Sequence, residues 1–235
     1  MNPKTEQIDL IESMLTRANM LVSELEQAYH HDLEAKKVSD EARNLTHEVL
    51  EKCSNILDQT MTVFFEHEIK QYLTELPKRG GYFPTAKDEK SYRSSLGQWK
   101  ASQLAMLAPM LDAKLRSLQP FADPKNVIFS RMRDLANRKH TGLAPQKRSE
   151  DRRVNVASAG GGSVTWGQGV TFGSGVSVMG VPIDPRTQMP AHTQGISVKV
   201  EKWISFHFDD NGDDALSFCQ ESVRAARRAV ETLLK

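Results

Sequence analysis

The chain has 235 residues, of which 39% are hydrophobic and 26% are charged, and its formal net charge is +1. A chain of this length can bury a core, and its net charge alone does not imply a polyanionic partner. No run of about 18 apolar residues is present, which excludes a membrane-spanning helix. The polar, acidic N-terminus excludes a secretory signal, and Cys53 and Cys219 lack metal-ligand spacing, so we expect a cytoplasmic protein without disulfides, metal or cofactors.

Charge is unevenly distributed along the chain. Residues 1–76 carry 7 basic and 15 acidic residues, whereas residues 125–153 carry 9 basic and 3 acidic ones. Two interpretations stay open. The acidic and basic parts face each other within the fold or across a dimer, or the basic stretch binds phosphate.

Two long helices are predicted first. Apolar residues recur every three or four positions over residues 5–36, and Ser39 with the acids after it predicts the N-cap of a second helix over residues 40–76. The regular spacing of apolar residues in this second helix is interrupted, or slips, near Glu68, and Pro77 should end the helix. Two such helices joined by a short loop should pack antiparallel and could offer a homodimer surface.

Shorter helices are predicted to follow. They cover residues 89–100 and 103–118, and Pro109 should break the second of these. Asp123 could cap a further helix that has Pro124 at its first position and ends near His140. Its apolar residues are Val127, Ile128, Met132, Leu135 and Ala136.

The C-terminal third has a different character. Residues 144–153 are polar and basic and predict a linker. A six-residue pattern then occurs three times over residues 163–180, each unit having two apolar residues separated by one polar residue. Such a hexad is compatible with a parallel β-helix, but three units favour a small antiparallel meander.

A strand and a helix should complete the chain. Residues 196–208 alternate between apolar and polar and give the strongest strand pattern in the sequence. Asp213 or Asp214 could cap a last helix that ends at Leu234 and packs on the helical body or covers the strands. The acidic run that begins at Asp209 has its glycine at the wrong position for a calcium loop, which favours a turn.

One constellation could carry chemistry. Arg133, Asn137 and His140 stand at helix positions i, i+4 and i+7 and therefore share one face. An imidazole and a guanidinium supply the proton transfer and the charge stabilisation that phosphodiester cleavage needs. The alternatives are a polar helix end, where His and Lys satisfy the last carbonyls, and anion binding without turnover.

The Arg-x6-His spacing resembles the motif of the HEPN superfamily. A closer likeness is to a group of uncharacterised bacterial proteins, and it spans roughly residues 45–235. It is carried by Gly81-Tyr-Phe83-Pro84, Leu118-Gln-Pro120-Phe121 and Asn137-Arg-Lys139-His140. The resemblance implies a helical bundle, dimerisation and, in many members, metal-independent ribonuclease activity.

The expected fold is mainly α: a HEPN-like bundle over residues 1–143, a basic linker over 144–153, and a glycine-rich meander with a closing helix over 154–235. The expected function is RNA-directed, such as an endoribonuclease of the toxin or defence type. Arg133 would stabilise the phosphorane, Asn137 would orient and His140 would act as acid and base. The cations expected to hold RNA are Arg131, Arg138, Lys139, Lys147 and Arg148. The alternative is a non-catalytic interaction or scaffold protein.

Overall fold

The structure is a computed structural model that describes residues 3–35, 37–77, 82–140, 146–158, 161–167 and 169–235. Within these ranges, nothing is described of the side chains of Pro3, Glu34, Lys139, His140, Glu150, Asp151, Arg152, Glu201, Lys202 and Trp203. The chain divides into two compact units. The helical unit comprises Met1–Lys147 and His207–Lys235, and the strand unit comprises Arg148–Phe206.

The helical unit is built from helices of very different lengths. The described helices are α1 (Pro3–Ala35), α2 (Asp40–Phe64), α3 (Glu89–Gln98), α4 (Leu104–Leu107), α5 (Pro109–Ser117), α6 (Val127–Ala136) and α7 (Ala215–Leu234). None of them is long and apolar enough to cross a membrane.

The core of this unit lies between α2 and its neighbours α1, α6 and α7. The closing helix α7 buries small and branched side chains, including Cys219, Ala226 and Val230, as its periodicity predicts. It therefore covers much of the apolar stripe that the α1–α2 hairpin presents. Among the described residues of α1, the large apolar side chains that remain exposed are Leu10 and Met20. The homodimer expected on this hairpin stays a prediction.

The second helix begins as predicted and ends earlier. The Ser39 side chain accepts a hydrogen bond from the Ala42 N–H, so it is the N-cap of α2. The α-helix then gives way to a π turn over Phe65–Ile69 and a 3-10 turn over Lys70–Tyr72. The π turn adds one residue per turn, which is the cause of the slip predicted near Glu68.

The middle helices mostly follow the sequence pattern. Pro109 starts α5 after a break, and the Asp123 side chain accepts from the Lys125 N–H and caps the 3-10 turn that leads into α6. The assignment of Val127 to the apolar side was wrong, since this side chain is 52% exposed. Phe129 is buried instead, because it stands three residues before the buried Met132 and so shares its side of α6, whereas Val127 stands five residues before Met132 and faces another side.

The predicted linker over residues 144–153 is, from residue 146 onward, a strand rather than a linker. The described strands are β1 (Gln146–Ser158), β2 (Ser163–Gly167), β3 (Ser177–Val178), β4 (Val181–Asp184), β5 (Met189–Pro190) and β6 (Ile196–Phe208). The first residues of β1 are polar and show no alternation of apolar residues, so the strand was not predicted there. Further along, Val154 and Val156 are buried and alternate as a strand requires.

The strands form two small sheets, ordered β2-β1-β6 and β3-β4-β5. The described pairs β1–β2, β3–β4 and β4–β5 are antiparallel, and β3-β4-β5 has the order of a meander. The predicted meander of the three hexads is wrong in part, since β1 lies between β2 and β6 and the second hexad, residues 169–174, forms no strand. The second apolar residue of each hexad joins a small core, in which the Trp166 and Phe172 rings meet edge to face at 5.2 Å. Trp166 and Phe172 therefore have a structural role, since their rings pack in the small core of the strand unit.

Candidate functional site

A cleft of about 360 Å³ lies between α2 and α6 in the helical unit. The side chains that line it are Glu51, Ser54, Asn55, Asp58, Tyr82, Arg133, Ala136 and Asn137. Two of the three predicted catalytic residues, Arg133 and Asn137, are therefore brought together. A cleft of this size is at the lower end of the range of about 300–1,000 Å³ for small-ligand sites.

Arg133 is held by two acceptors within its own unit. Its guanidinium donates to the Asp58 carboxylate at 2.5 Å and to the Phe83 carbonyl oxygen at 2.7 Å. Asp58 also accepts the Phe83 N–H at 3.0 Å. The three residues form a closed set, in which Asp58 and Arg133 bind the backbone N–H and the carbonyl oxygen of one residue, Phe83, in the loop that follows residue 81.

The Asp58 carboxyl is in a half-buried position beside this arginine. Burial raises its pKa above the ordinary value of 3.8, while the Arg133 charge and the hydrogen bonds from Phe83 and Arg133 lower the pKa only part of the way back. This balance is expected where two charges leave water together, since desolvation opposes their attraction.

The same loop is braced at a second point by a buried amide. Gln119, which is fully buried, accepts the Ala86 N–H and donates to the Leu115 carbonyl oxygen. The Asn126 side chain donates to the Gln119 carbonyl oxygen. The Phe-Pro loop, the Leu-Gln-Pro element and Arg133 thus belong to one bracing network of hydrogen bonds.

Two of the cations expected to hold RNA are occupied elsewhere. Arg131 pairs with Asp210 and Asp213 at 3.1 Å, and Arg138 pairs with Asp210 at 2.9 Å. Burial raises the pKa of Asp210, but the hydrogen bond and charge of Arg131 and the charge of Arg138 outweigh it and hold the pKa below 3.8. The acidic turn after β6 is therefore a partner for arginines and an N-cap, with Asp214 accepting from Ser217.

The remaining predicted residues are less informative. The α-helix ends at Ala136, and Asn137–His140 form a 3-10 turn, in which residues three apart are eclipsed. The backbone positions of Asn137 and His140 therefore lie on the same side of the 3-10 turn. The side chains of Lys139 and His140 are outside the described part of the chain. Lys147 is exposed, and Arg148 is half-buried in the strand unit.

Sequence reasoning missed most of the cleft. Asp58, Ser54 and Asn55 lie on the polar side of α2, which has no feature that separates a binding residue from a solvated one. Tyr82 could have been found, because it adjoins the Phe83-Pro84 pair that the sequence singles out. Among the described side chains, no three His, Cys, Asp or Glu residues are grouped to hold a metal ion.

The chain was also compared with known proteins. No family model matches it, and neither a curated protein nor a solved structure is significantly similar.

Proposed function

We propose that this protein is a non-catalytic interaction module, whose helical unit offers the cleft between α2 and α6 to a partner. The observation that carries the proposal is the engagement of Arg133 by Asp58 and Phe83. A guanidinium that must stabilise a phosphorane needs donors directed at the phosphate. Here both terminal nitrogens of Arg133 already donate within the chain.

Electrostatics support the same conclusion. The described residues that line the cleft include two carboxylates, Glu51 and Asp58, and one guanidinium. The positive charge of Arg133 is already paired with Asp58, so it attracts a phosphate less strongly than an unpaired guanidinium would. Arg131 and Arg138, which the sequence predicts to bind RNA, are instead paired with Asp210.

A metal-independent endoribonuclease is the second candidate. One observation favours it, namely that Arg133 and Asn137 line a single cleft at the end of α6. The residue that would complete this site is His140, which follows in the next turn of the chain.

The two functions are separated by an RNA cleavage assay in the presence of a chelator. Wild type, His140→Ala and Arg133→Lys would be incubated with a mixed single-stranded RNA. An interaction module leaves the RNA intact in all three cases. Cleavage by wild type that is lost in His140→Ala would overturn the proposal, and Lys90→Ala, at an exposed position of α3 that does not line the cleft, serves as the matched control for altered surface charge.

A further inference from the structure

The strand β6 forms one edge of its sheet. It pairs with β1 on one side, and none of the described strands lies on its other side. Residues 197–200 are exposed, and Val198 and Val200, which share one face of the strand, are each 38% exposed. An open edge presents backbone N–H and C=O groups to which a further strand can bind. No proline interrupts β6, so its backbone is suited to such pairing.

The charged residues of this edge complement a second copy of themselves. Lysine commonly protects an edge strand, because the pairing of two copies brings like charges together. In β6, however, Lys199 and Glu201 occupy alternate positions on either side of Val200. Two copies of β6 that pair antiparallel about Val200 therefore have Lys199 of each copy opposite Glu201 of the other. In this register the charges attract.

We propose that β6 pairs antiparallel with β6 of a second copy of this chain, with the twofold axis at Val200. The two valines then lie opposite each other at the axis, and Ile196 of each copy lies opposite Ile204 of the other. Apolar residues thus meet on one face of the joined sheet and opposite charges meet on the other. Lys199 also interacts within its own chain, and the three donors of its ammonium allow it to bind on both sides.

The neighbouring registers are less favourable. A twofold axis moved to Lys199 brings two lysines together, and an axis moved to Glu201 brings two glutamates together. An axis between two residues sets the apolar positions of one copy opposite the polar positions of the other, for example Val200 opposite Lys199. The sequence therefore favours the register with Val200 at the axis.

The other edge of the same sheet does not fit β6 in this way. The strand β2 has five residues, Ser163–Gly167, and none of them is charged. It therefore offers no partner for Lys199 or Glu201. Pairing of β6 with β2 of another copy would also leave one edge free on each chain and extend into a fibre, whereas twofold pairing of β6 with itself closes. The surface proposed here belongs to the strand unit and differs from the α1–α2 hairpin, on which the sequence predicts a homodimer.

Sedimentation velocity of the full chain over a series of concentrations tests the inference. Wild type is compared with Lys199→Glu and Glu201→Lys. We expect wild type to dimerise reversibly and each single variant to dimerise at least about tenfold more weakly, because two attractive pairs become two repulsive ones. Lys90→Glu, at an exposed position of α3, is the matched control and should dimerise as wild type does.

An equimolar mixture of the two single variants tests the register itself. When a Lys199→Glu chain pairs with a Glu201→Lys chain about Val200, both cross-strand positions again combine a lysine with a glutamate. The mixture should therefore form a mixed dimer with an affinity close to that of wild type, although each variant alone dimerises weakly. A role of either residue in folding alone does not produce this recovery.

Three results would overturn the inference. They are a wild type that stays monomeric over the whole concentration series, a dimer that neither single variant weakens, and variants that weaken the dimer without recovery in the mixture. The second result would place the interface on another surface, such as the α1–α2 hairpin. None of these results depends on the cleft between α2 and α6, so the proposed function is tested separately by the RNA cleavage assay.

Discussion

At the scale of single residues, Asp58 is the centre of the cleft. It accepts from Arg133 on α6 and from the backbone of Phe83, so one carboxylate joins α2, α6 and the loop. The side chains of Asp58 and Arg133 are 28% and 21% exposed. Loss of either partner would leave the other charge half-buried and without its main partner.

A double-mutant cycle on Asp58→Asn and Arg133→Gln should reveal this coupling. We expect each single variant to lower the free energy of unfolding by about 1–3 kcal/mol, with a coupling energy of about 1 kcal/mol or more. Urea denaturation measures both quantities. The exposed pair Arg43–Asp40 is the control, and its coupling should stay below about 0.5 kcal/mol. Equal coupling in the two pairs would contradict the role given to Asp58.

The pH dependence of the free energy of unfolding should also reveal the raised pKa of Asp58. Its pKa is raised in the folded chain by burial, so the folded state holds this proton more tightly than the unfolded state does. The stability contributed by the group is then fully present below the ordinary carboxyl pKa and is lost as the pH rises through the folded value. Wild type should lose stability relative to Asp58→Asn over that range in unfolding experiments. A relative gain would mean that the attraction of Arg133 outweighs burial.

At the scale of elements, the sequence predicts regular structure well and its interruptions less well. The strand over Ile196–Phe208 and the last helix to Leu234 agree with the structure, because a clear period of two or of 3.6 is present in each. The π turn over Phe65–Ile69 was visible only as a slip of the apolar side. The start of β1 was missed because pairing with its neighbours, which no local pattern encodes, stabilises a polar segment as a strand.

The π turn gives a prediction of its own. Deleting Glu66, an exposed residue within the turn, should convert it to regular α-helix and preserve the fold, because a π turn contains one residue more than an α turn. Circular dichroism and the melting temperature would measure the outcome.

The matched control is deletion of Gln59, an exposed residue in the regular part of α2. This deletion rotates the following residues by about 100° and should remove Thr60, Met61 and Phe64 from the core. If the two deletions destabilise the protein equally, the turn does not take up an inserted residue as described.

At the scale of the whole molecule, the chain leaves the helical unit after Lys147 and returns to it at His207. The closing helix α7 therefore belongs to the core of the first 147 residues, although 59 residues of the strand unit separate them. The sequence placed α7 on the helical body as one of two options. Only the contacts of α7 with α1 and α2 decide between them, because periodicity identifies a buried face and not the surface that covers it.

This organisation predicts that the strand unit is dispensable for folding of the helical unit. Neighbouring strands lie about 5 Å apart, and the hydroxyls of Ser149 and Ser205 are 3.0 Å apart on β1 and β6. A short Gly-Ser linker from Lys147 to His207 should therefore give a helical protein that unfolds cooperatively. Truncation after Phe206, which removes α7, should abolish cooperative unfolding. A linker variant without a cooperative transition would contradict the division into units.

The measurement that tests the central claim most directly is an NMR titration of the Arg133 guanidinium with single-stranded RNA in the presence of a chelator. If Asp58 and Phe83 hold this guanidinium, its side-chain signals in wild type should stay unchanged as RNA is added. In the Asp58→Asn variant, the same signals should move as RNA is added. Signals that shift on addition of RNA, with the chain intact and Asp58 in place, would mean that Arg133 faces phosphate and would contradict the account.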